Sequence, residues 1–251
     1  MVKNKDFVTG FHLKAIAVSC MVIDHIGYEF QSVLPYNFYI ILRLIGRIAM
    51  PIFCFMCAEG AIKTRNFKKY ALRLLLFAVI SEIPFNFFVS YGENISHPKL
   101  QNVMWTLLAG ILSVKIIDYC RQKDKLFYIC SIIVCPIVFG MLCAIGKTDY
   151  ELTGVLMIII FYLFRENKAL MAAAIFILLC PFYILYSGNS SFTIFGTVIP
   201  ISTEAFGVLS LIPICLYGGK QGFYNKVVKY SFYVFYPLHI AIIAIIYRII
   251  I

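Results

Sequence analysis

Charge is scarce in this sequence, and acidic charge scarcest: only 12 of 251 residues are Asp or Glu, and charged residues of all types make up 14%. A water-soluble domain carries about a quarter. Together with 62% hydrophobic residues and a mean hydropathy of +0.89, this shortage excludes a soluble or disordered chain and identifies an integral membrane protein. The sequence also has no soluble domain, long linker or internal repeat, so residues 1–251 read as a single membrane domain. No basic run is interleaved with base-stacking aromatics, so the net charge of +10 does not point to nucleic acid. No disulfide framework is indicated, because the nine cysteines lie mostly inside apolar runs, where a thiol behaves as a small buried hydrophobe. Cys54-x-x-Cys57 lacks the second pair that a metal or redox centre would need, and no metal site is predicted. Lys3 and Lys5 precede an apolar stretch that is long and has no small-residue cleavage motif, which reads as a retained first span and not a signal peptide.

What is present is a series of apolar runs of about twenty residues. In lipid every backbone polar group must be satisfied internally, so runs of this length predict an all-α, polytopic transmembrane helix bundle. Nine spans are expected, at about 11–31, 38–61, 68–90, 102–120, 126–146, 151–165, 168–187, 204–219 and 228–250. The sixth and eighth are short enough for one to be re-entrant or broken. The loops 32–37, 91–101, 147–150 and 188–203 contain only Lys99 and Lys147, and Arg248 ends the chain on the same side. The opposite side collects seventeen of the 22 basic residues. Under the positive-inside rule this puts the N-terminus in the cytoplasm and the C-terminus outside.

The two remaining basic residues, Arg43 and Arg47, lie inside the second span. The first span carries Asp24, His25 and Glu29 within "MVIDHIGYEF" (21–30), and the third carries Glu82. The alternating topology brings Asp24, His25, Arg43, Arg47 and Glu82 to a similar depth, with Glu59 lower and His239 near the middle of the ninth span. A central Asp or Arg costs roughly 3 kcal/mol to insert, so Asp24, Arg43, Arg47, Glu59 and Glu82 together would cost about 15 kcal/mol unless paired or hydrated. Two readings follow. One is an ion-pair network that sets helix register, with Arg43 and Arg47 on one helix face. The other is a reactive cavity, in which Glu29, four residues after His25, or Asp24, about 100° away around the helix, orients a buried imidazole. Pro51, Pro84 and Pro237 lie on the same spans as these groups and predict breaks of the kind tolerated around a cavity. On the cytoplasmic side, Lys63, Arg65, Lys68 and Lys69 fit either positive-inside topology or the phosphates of a nucleotide or coenzyme A.

The segments "LKAIAVSCMVIDHIG" (13–27), "LRLIGRIAMPIFCFMCAEGAIKTRNFKKYALRLLLFAVISEIPFNF" (42–87) and "YPLHI" (236–240) resemble the TraX family. The family is named for an enzyme that N-acetylates the amino-terminal alanine of conjugative pilin, and it looks like a compact branch of the transmembrane acyltransferases. The resemblance implies an acetyltransferase that takes acetyl-CoA from the cytoplasm and acetylates a peptide amino terminus or a glycan or lipid hydroxyl. Carried residue by residue, it implies His25 as general base and the paired Arg43 and Arg47 at the oxyanion or a CoA phosphate. Glu82 matches the I-S-E acid and His239 the terminal motif. Lys63, Arg65, Lys68 and Lys69 would then attract the CoA phosphates. Two other classes are compatible with the same residues: a proton-coupled transporter or flippase using Asp24, His25, Glu82 and His239, and a non-catalytic assembly partner.

Overall fold

The structure is a computed structural model that describes residues 8–89, 100–186, 191–194, 197–200 and 203–251. Lys3, Lys5 and Lys99, and most of the expected loops 91–101 and 188–203, lie outside the described residues. Ten α-helices follow one another along the described chain: α1 (Gly10–Glu29), α2 (Tyr36–Gly46), α3 (Ala49–Lys63), α4 (Phe67–Val89), α5 (Val103–Lys123), α6 (Lys125–Ile145), α7 (Glu151–Leu163), α8 (Lys168–Tyr186), α9 (Leu211–Cys215) and α10 (Lys226–Ile250). The expected helical class therefore holds. One addition lies between α8 and α9, an antiparallel hairpin of β1 (Ser191–Ile194) and β2 (Thr197–Pro200), followed by a 3-10 turn over Glu204–Ser210.

Among the described residues, five helical stretches are long and apolar enough to cross a membrane: Tyr36–Lys63, Phe67–Val89, Val103–Lys123, Lys125–Ile145 and Lys226–Ile250. The expected sixth span forms only the 13 residues of α7. At 1.5 Å per residue that is about 20 Å, short of a hydrocarbon core of roughly 30 Å. The expected eighth span forms the 3-10 turn and the five residues of α9.

The chain packs as two units that interleave in sequence. The first comprises Met1–Met56, Asn167–Phe232 and Ile246–Ile251, and the second Cys57–Glu166 and Tyr233–Ile245. In the first unit, Thr9 caps α1 by accepting the His12 N–H, while His12 Nδ1 accepts the Thr9 N–H in return. The residues that open α1 are tied to the loop after α9: the Gly10 N–H donates to Lys220 O and the Phe11 N–H to Gln221 O. Gly222 in that loop has φ +73, and a Cβ there would also run into Thr9. The face that α1 buries includes Gly10, Leu13, Ala17, Cys20 and Gly27, a spacing of three and four residues. Asp24 falls on the same stripe, so it is directed at protein and not at lipid.

The expected second span is divided. Helix α2 ends at Gly46 and α3 begins at Ala49. Pro51 has no N–H to give the Arg47 carbonyl, which removes the hydrogen bond that would carry the helix through. Gly207, from the 3-10 turn, fits against this break, where a Cβ would stand 3.3 Å from both Arg47 O and the Pro51 ring. The other two prolines behave differently, since α4 and α10 remain helical through Pro84 and Pro237. There the carbonyls four residues back lose one donor each without the helix ending.

In the second unit, Asn102 caps α5 and Asp124 caps α6 through side-chain oxygens. Helices α5, α6 and α7 approach closely at glycines. A Cβ at Gly110 would overlap Ile158, and one at Gly140 would overlap Leu152.

Candidate functional site

The motif segments of α1 and α2 fit together through their glycines. A Cβ at Gly27 would stand 2.8 Å from Leu42 Cβ, and one at Gly46 would overlap the Asp24 carboxylate. This approach places Arg43 Nη1 to donate to Asp24 Oδ2 at 2.7 Å, with both side chains largely shielded at 13% and 14% exposure. The Arg43 guanidinium also stands over the Tyr28 ring, 5.4 Å from its centroid. Of the groups that the sequence brings to one level, Asp24 and Arg43 form a pair. Asp24 Oδ1 has no hydrogen-bond partner among the described residues. His25 follows directly on α1 and is half-buried.

Arg47 sits in the break between α2 and α3 and reaches Glu204, with Nη2 3.7 Å from Oε1. Thr203 Oγ1 donates to Glu204 Oε2 at 2.9 Å, which orients that carboxylate. Glu29 is fully buried, and Arg248 Nη1 from the end of α10 reaches its Oε1 at 3.4 Å. Its other oxygen, Oε2, has no hydrogen-bond partner among the described residues. The first unit thus pairs Asp24 with Arg43, Arg47 with Glu204 and Glu29 with Arg248, and of these residues Glu204 and Arg248 were not expected. An acid at the start of the short eighth span and an arginine inside "IIYRIII" were the available signals. Each is an ionisable group at the edge of an apolar run.

Glu82 belongs to the second unit and has its own partners there. Its Oε1 accepts from the Asn102 backbone N–H at 3.2 Å and the Trp105 indole N–H at 2.7 Å, and also from the Asn102 side-chain amide. Asn86 Nδ2 donates to Oε2 at 3.4 Å. Asn102 is the N-cap of α5, so the carboxylate sits against the positive end of that helix and takes up its first free N–H. Dipoles hold this charge where an arginine was expected to share its level. A Glu82→Gln variant keeps an oxygen for the three donors and is expected to lose about 1 kcal/mol of stability. Glu82→Ala strands those donors and is expected to lose about 3 kcal/mol. Unfolding in detergent micelles checks this, and equal losses would show that the negative charge, not the acceptor geometry, is what the unit requires.

His239 is buried in the same unit, stacked on Phe235 with 5.0 Å between ring centroids. Its Nδ1 lies 2.8 Å from Phe235 O. A carbonyl only accepts, so the neutral ring carries its proton on Nδ1 and presents Nε2 as the basic nitrogen. Glu59, also of this unit, pairs within its own helix with Lys63 at 2.5 Å. Lys63, Arg65, Lys68 and Lys69 are exposed around the turn into α4. Asn66 Oδ1 accepts the Lys69 N–H there, so the positive end of α4 adds to the four cations. That donor set suits a phosphate-bearing ligand.

The model of the family described as TraX protein matches residues 10–247. The chain is 28% identical over 250 residues to a probable fimbrial assembly protein FimC, serogroup H1, of Dichelobacter nodosus, covering 97% of each chain. It is 27% identical over 203 residues to an uncharacterized protein of Rickettsia prowazekii (strain Madrid E), covering 80% of this chain and 71% of that protein. No solved structure matches.

Proposed function

The chain belongs to the TraX family, and from that premise we propose that it is a membrane acetyltransferase moving an acetyl group from cytoplasmic acetyl-CoA to an amine or hydroxyl of an exported acceptor. The observation that carries this reading is the interlock of α1 and α2. Two motif segments lock through Gly27 and Gly46 around the shielded Asp24–Arg43 pair, and His25 is the next residue on α1. A register lock alone needs the ion pair but does not need an imidazole next to it. The name of the Dichelobacter nodosus relative, a fimbrial assembly protein, favours a surface-fibre subunit as the acceptor.

In this reading a ring nitrogen of His25 takes the proton of the acceptor N–H or O–H as that atom bonds to the thioester carbonyl carbon. The C–S bond then breaks, and the proton passes to the departing CoA sulfur. Arg43 is spoken for by Asp24 at 2.7 Å, whereas Arg47 holds Glu204 at the longer 3.7 Å. We assign Arg43 to fixing Asp24 and Arg47, at the break between α2 and α3, to the developing oxyanion or a phosphate. Asp24 Oδ1 and Glu29 Oε2, both buried acceptors lacking a donor among the described residues, are the oxygens suited to orient the imidazole or the acceptor. Lys63, Arg65, Lys68 and Lys69 would meet the CoA phosphates. The membrane is bacterial and cytoplasmic, with the N-terminus inside.

The test is acetyl transfer from radiolabelled acetyl-CoA to purified fimbrial subunit in proteoliposomes holding the full chain. Product carrying the mass of one acetyl group is expected. Proton-dependent solute uptake with no acetyl transfer would instead make the protein a transporter.

A further inference from the structure

A groove of about 290 Å³ runs between α5 and α6 in the second unit. Trp105, Leu108, Phe139 and Leu142 line its body, and Gln101 and Thr148 its one polar end. Both helices are apolar enough to cross a membrane, and Leu142 at the groove's edge is 58% exposed. An open side on such helices faces bilayer hydrocarbon, and its apolar lining suits a chain of methylenes.

The polar end is built to a fixed shape. The Gln101 N–H donates to Lys147 O at 2.9 Å and the Asp149 N–H to Gln101 O at 2.9 Å, which clamps the turn between α6 and α7 onto the start of α5. Thr106 and Thr148 share a hydrogen bond of 2.8 Å beneath it. This turn holds Lys147, Tyr150 and Glu151 at φ 51, 64 and 33, a left-handed conformation that side chains rarely adopt. Each such residue costs on the order of 1–3 kcal/mol, so the surrounding contacts must over-determine the turn. The effect is to hold Lys147, exposed, between the groove-lining Gly146 and Thr148.

Charge then selects the occupant. Of the two basic residues in the loops on this side, Lys147 is the one among the described residues, and it stands between the groove-lining Gly146 and Thr148. Its ammonium puts a positive charge at one end of an apolar groove, on a side whose loops are otherwise poor in basic residues. We propose that the α5–α6 groove is a binding site for one acyl chain of an anionic phospholipid, whose headgroup phosphate is met by Lys147. This site is independent of the acetyltransferase reading.

The chain carries its own reporter. Trp105 is its one tryptophan, and its ring lines the groove while its Nε1 is tied to Glu82. Bromine on an acyl chain quenches indole fluorescence on contact. The full chain is reconstituted in phosphatidylcholine vesicles containing increasing fractions of dibrominated phosphatidylglycerol or dibrominated phosphatidylcholine. The anionic lipid is expected to quench with an apparent association about fivefold stronger, the contribution of roughly one surface lysine. Lys147→Gln, an exposed and non-disruptive change, is expected to make the two lipids equal. Ala109→Phe, which fills the groove, is expected to reduce quenching by both, with an unchanged emission maximum as the control for folding. Equal quenching by the two lipids in the wild type would overturn the proposal. So would a preference that survives Lys147→Gln, or quenching unaffected by Ala109→Phe in folded protein, which would mean that surrounding bulk lipid reaches the indole.

Discussion

Arg43→Ala is expected to destabilise the protein by about 3–5 kcal/mol, the scale on which removing one partner strands a buried charge. Asp24 Oδ2 would lose its 2.7 Å partner, and Oδ1 already has none among the described residues. At 14% exposure the carboxylate has little access to water. It also cannot move aside toward α2, because the position a Cβ would take on Gly46 is the one the carboxylate fills. Replacing both partners with neutral amides, Asp24→Asn with Arg43→Gln, removes the stranded charge while keeping donor against acceptor. The double variant is expected to recover part of the loss, with a coupling of about 1–3 kcal/mol between the two sites. Unfolding of purified protein in mixed micelles measures all four corners of the cycle. An Arg43→Ala variant within about 0.5 kcal/mol of wild type would mean that Asp24 is hydrated and that the pair sets no register.

That cycle separates the two jobs an intramembrane ion pair can have. If the neutral pair restores stability but not acetyl transfer, the charges serve chemistry. If it restores both, they serve only packing, as replacing a buried ion pair by neutral groups often allows.

Depth was legible in the sequence, and direction only partly so. Counting lysines and arginines around apolar runs is enough to bring Asp24 and Arg43 to one level, since charge in loops sets the order of the spans. The three-and-four spacing of Gly10, Leu13, Ala17, Cys20 and Gly27 then turns Asp24 inward. Glu82 shows where this kind of inference stops. Its level suggested an arginine, but its partners are the backbone and side chain of Asn102 and the indole of Trp105, all at the start of α5. Depth does not say which neighbour lies around the helix axis, and an uncharged donor leaves no charge signal to match. Glu204 and Arg248 were missed for a related reason. Each lies more than 150 residues from the group it pairs with, Arg47 and Glu29, and only packing decides such a choice. Proline was an equally local signal. Pro51 coincides with a break because Gly207 covers the freed carbonyl of Arg47 there, whereas α4 and α10 absorb Pro84 and Pro237 without ending.

His25→Ala is expected to reduce acetyl transfer about 10²- to 10⁴-fold, the usual contribution of a positioned general base. Stability should change little, because the imidazole is only half-buried and the Asp24–Arg43 pair does not include it. This contrast with Arg43→Ala is what gives the experiment its force: one substitution should unfold the site, the other should leave it folded and inactive. The split between kinetic constants sharpens it further. Loss of the base should lower kcat while the KM for acetyl-CoA stays near wild type, since the CoA phosphates are assigned to Lys63, Arg65, Lys68 and Lys69. Neutralising those four residues should do the reverse, raising KM with kcat largely kept. Partial rescue of His25→Ala by added imidazole would place the missing function in proton transfer and not in helix packing. A folded His25→Ala protein that transfers acetyl at the wild-type rate would remove His25 from the chemistry and leave His239, with its basic Nε2, as the next imidazole to test.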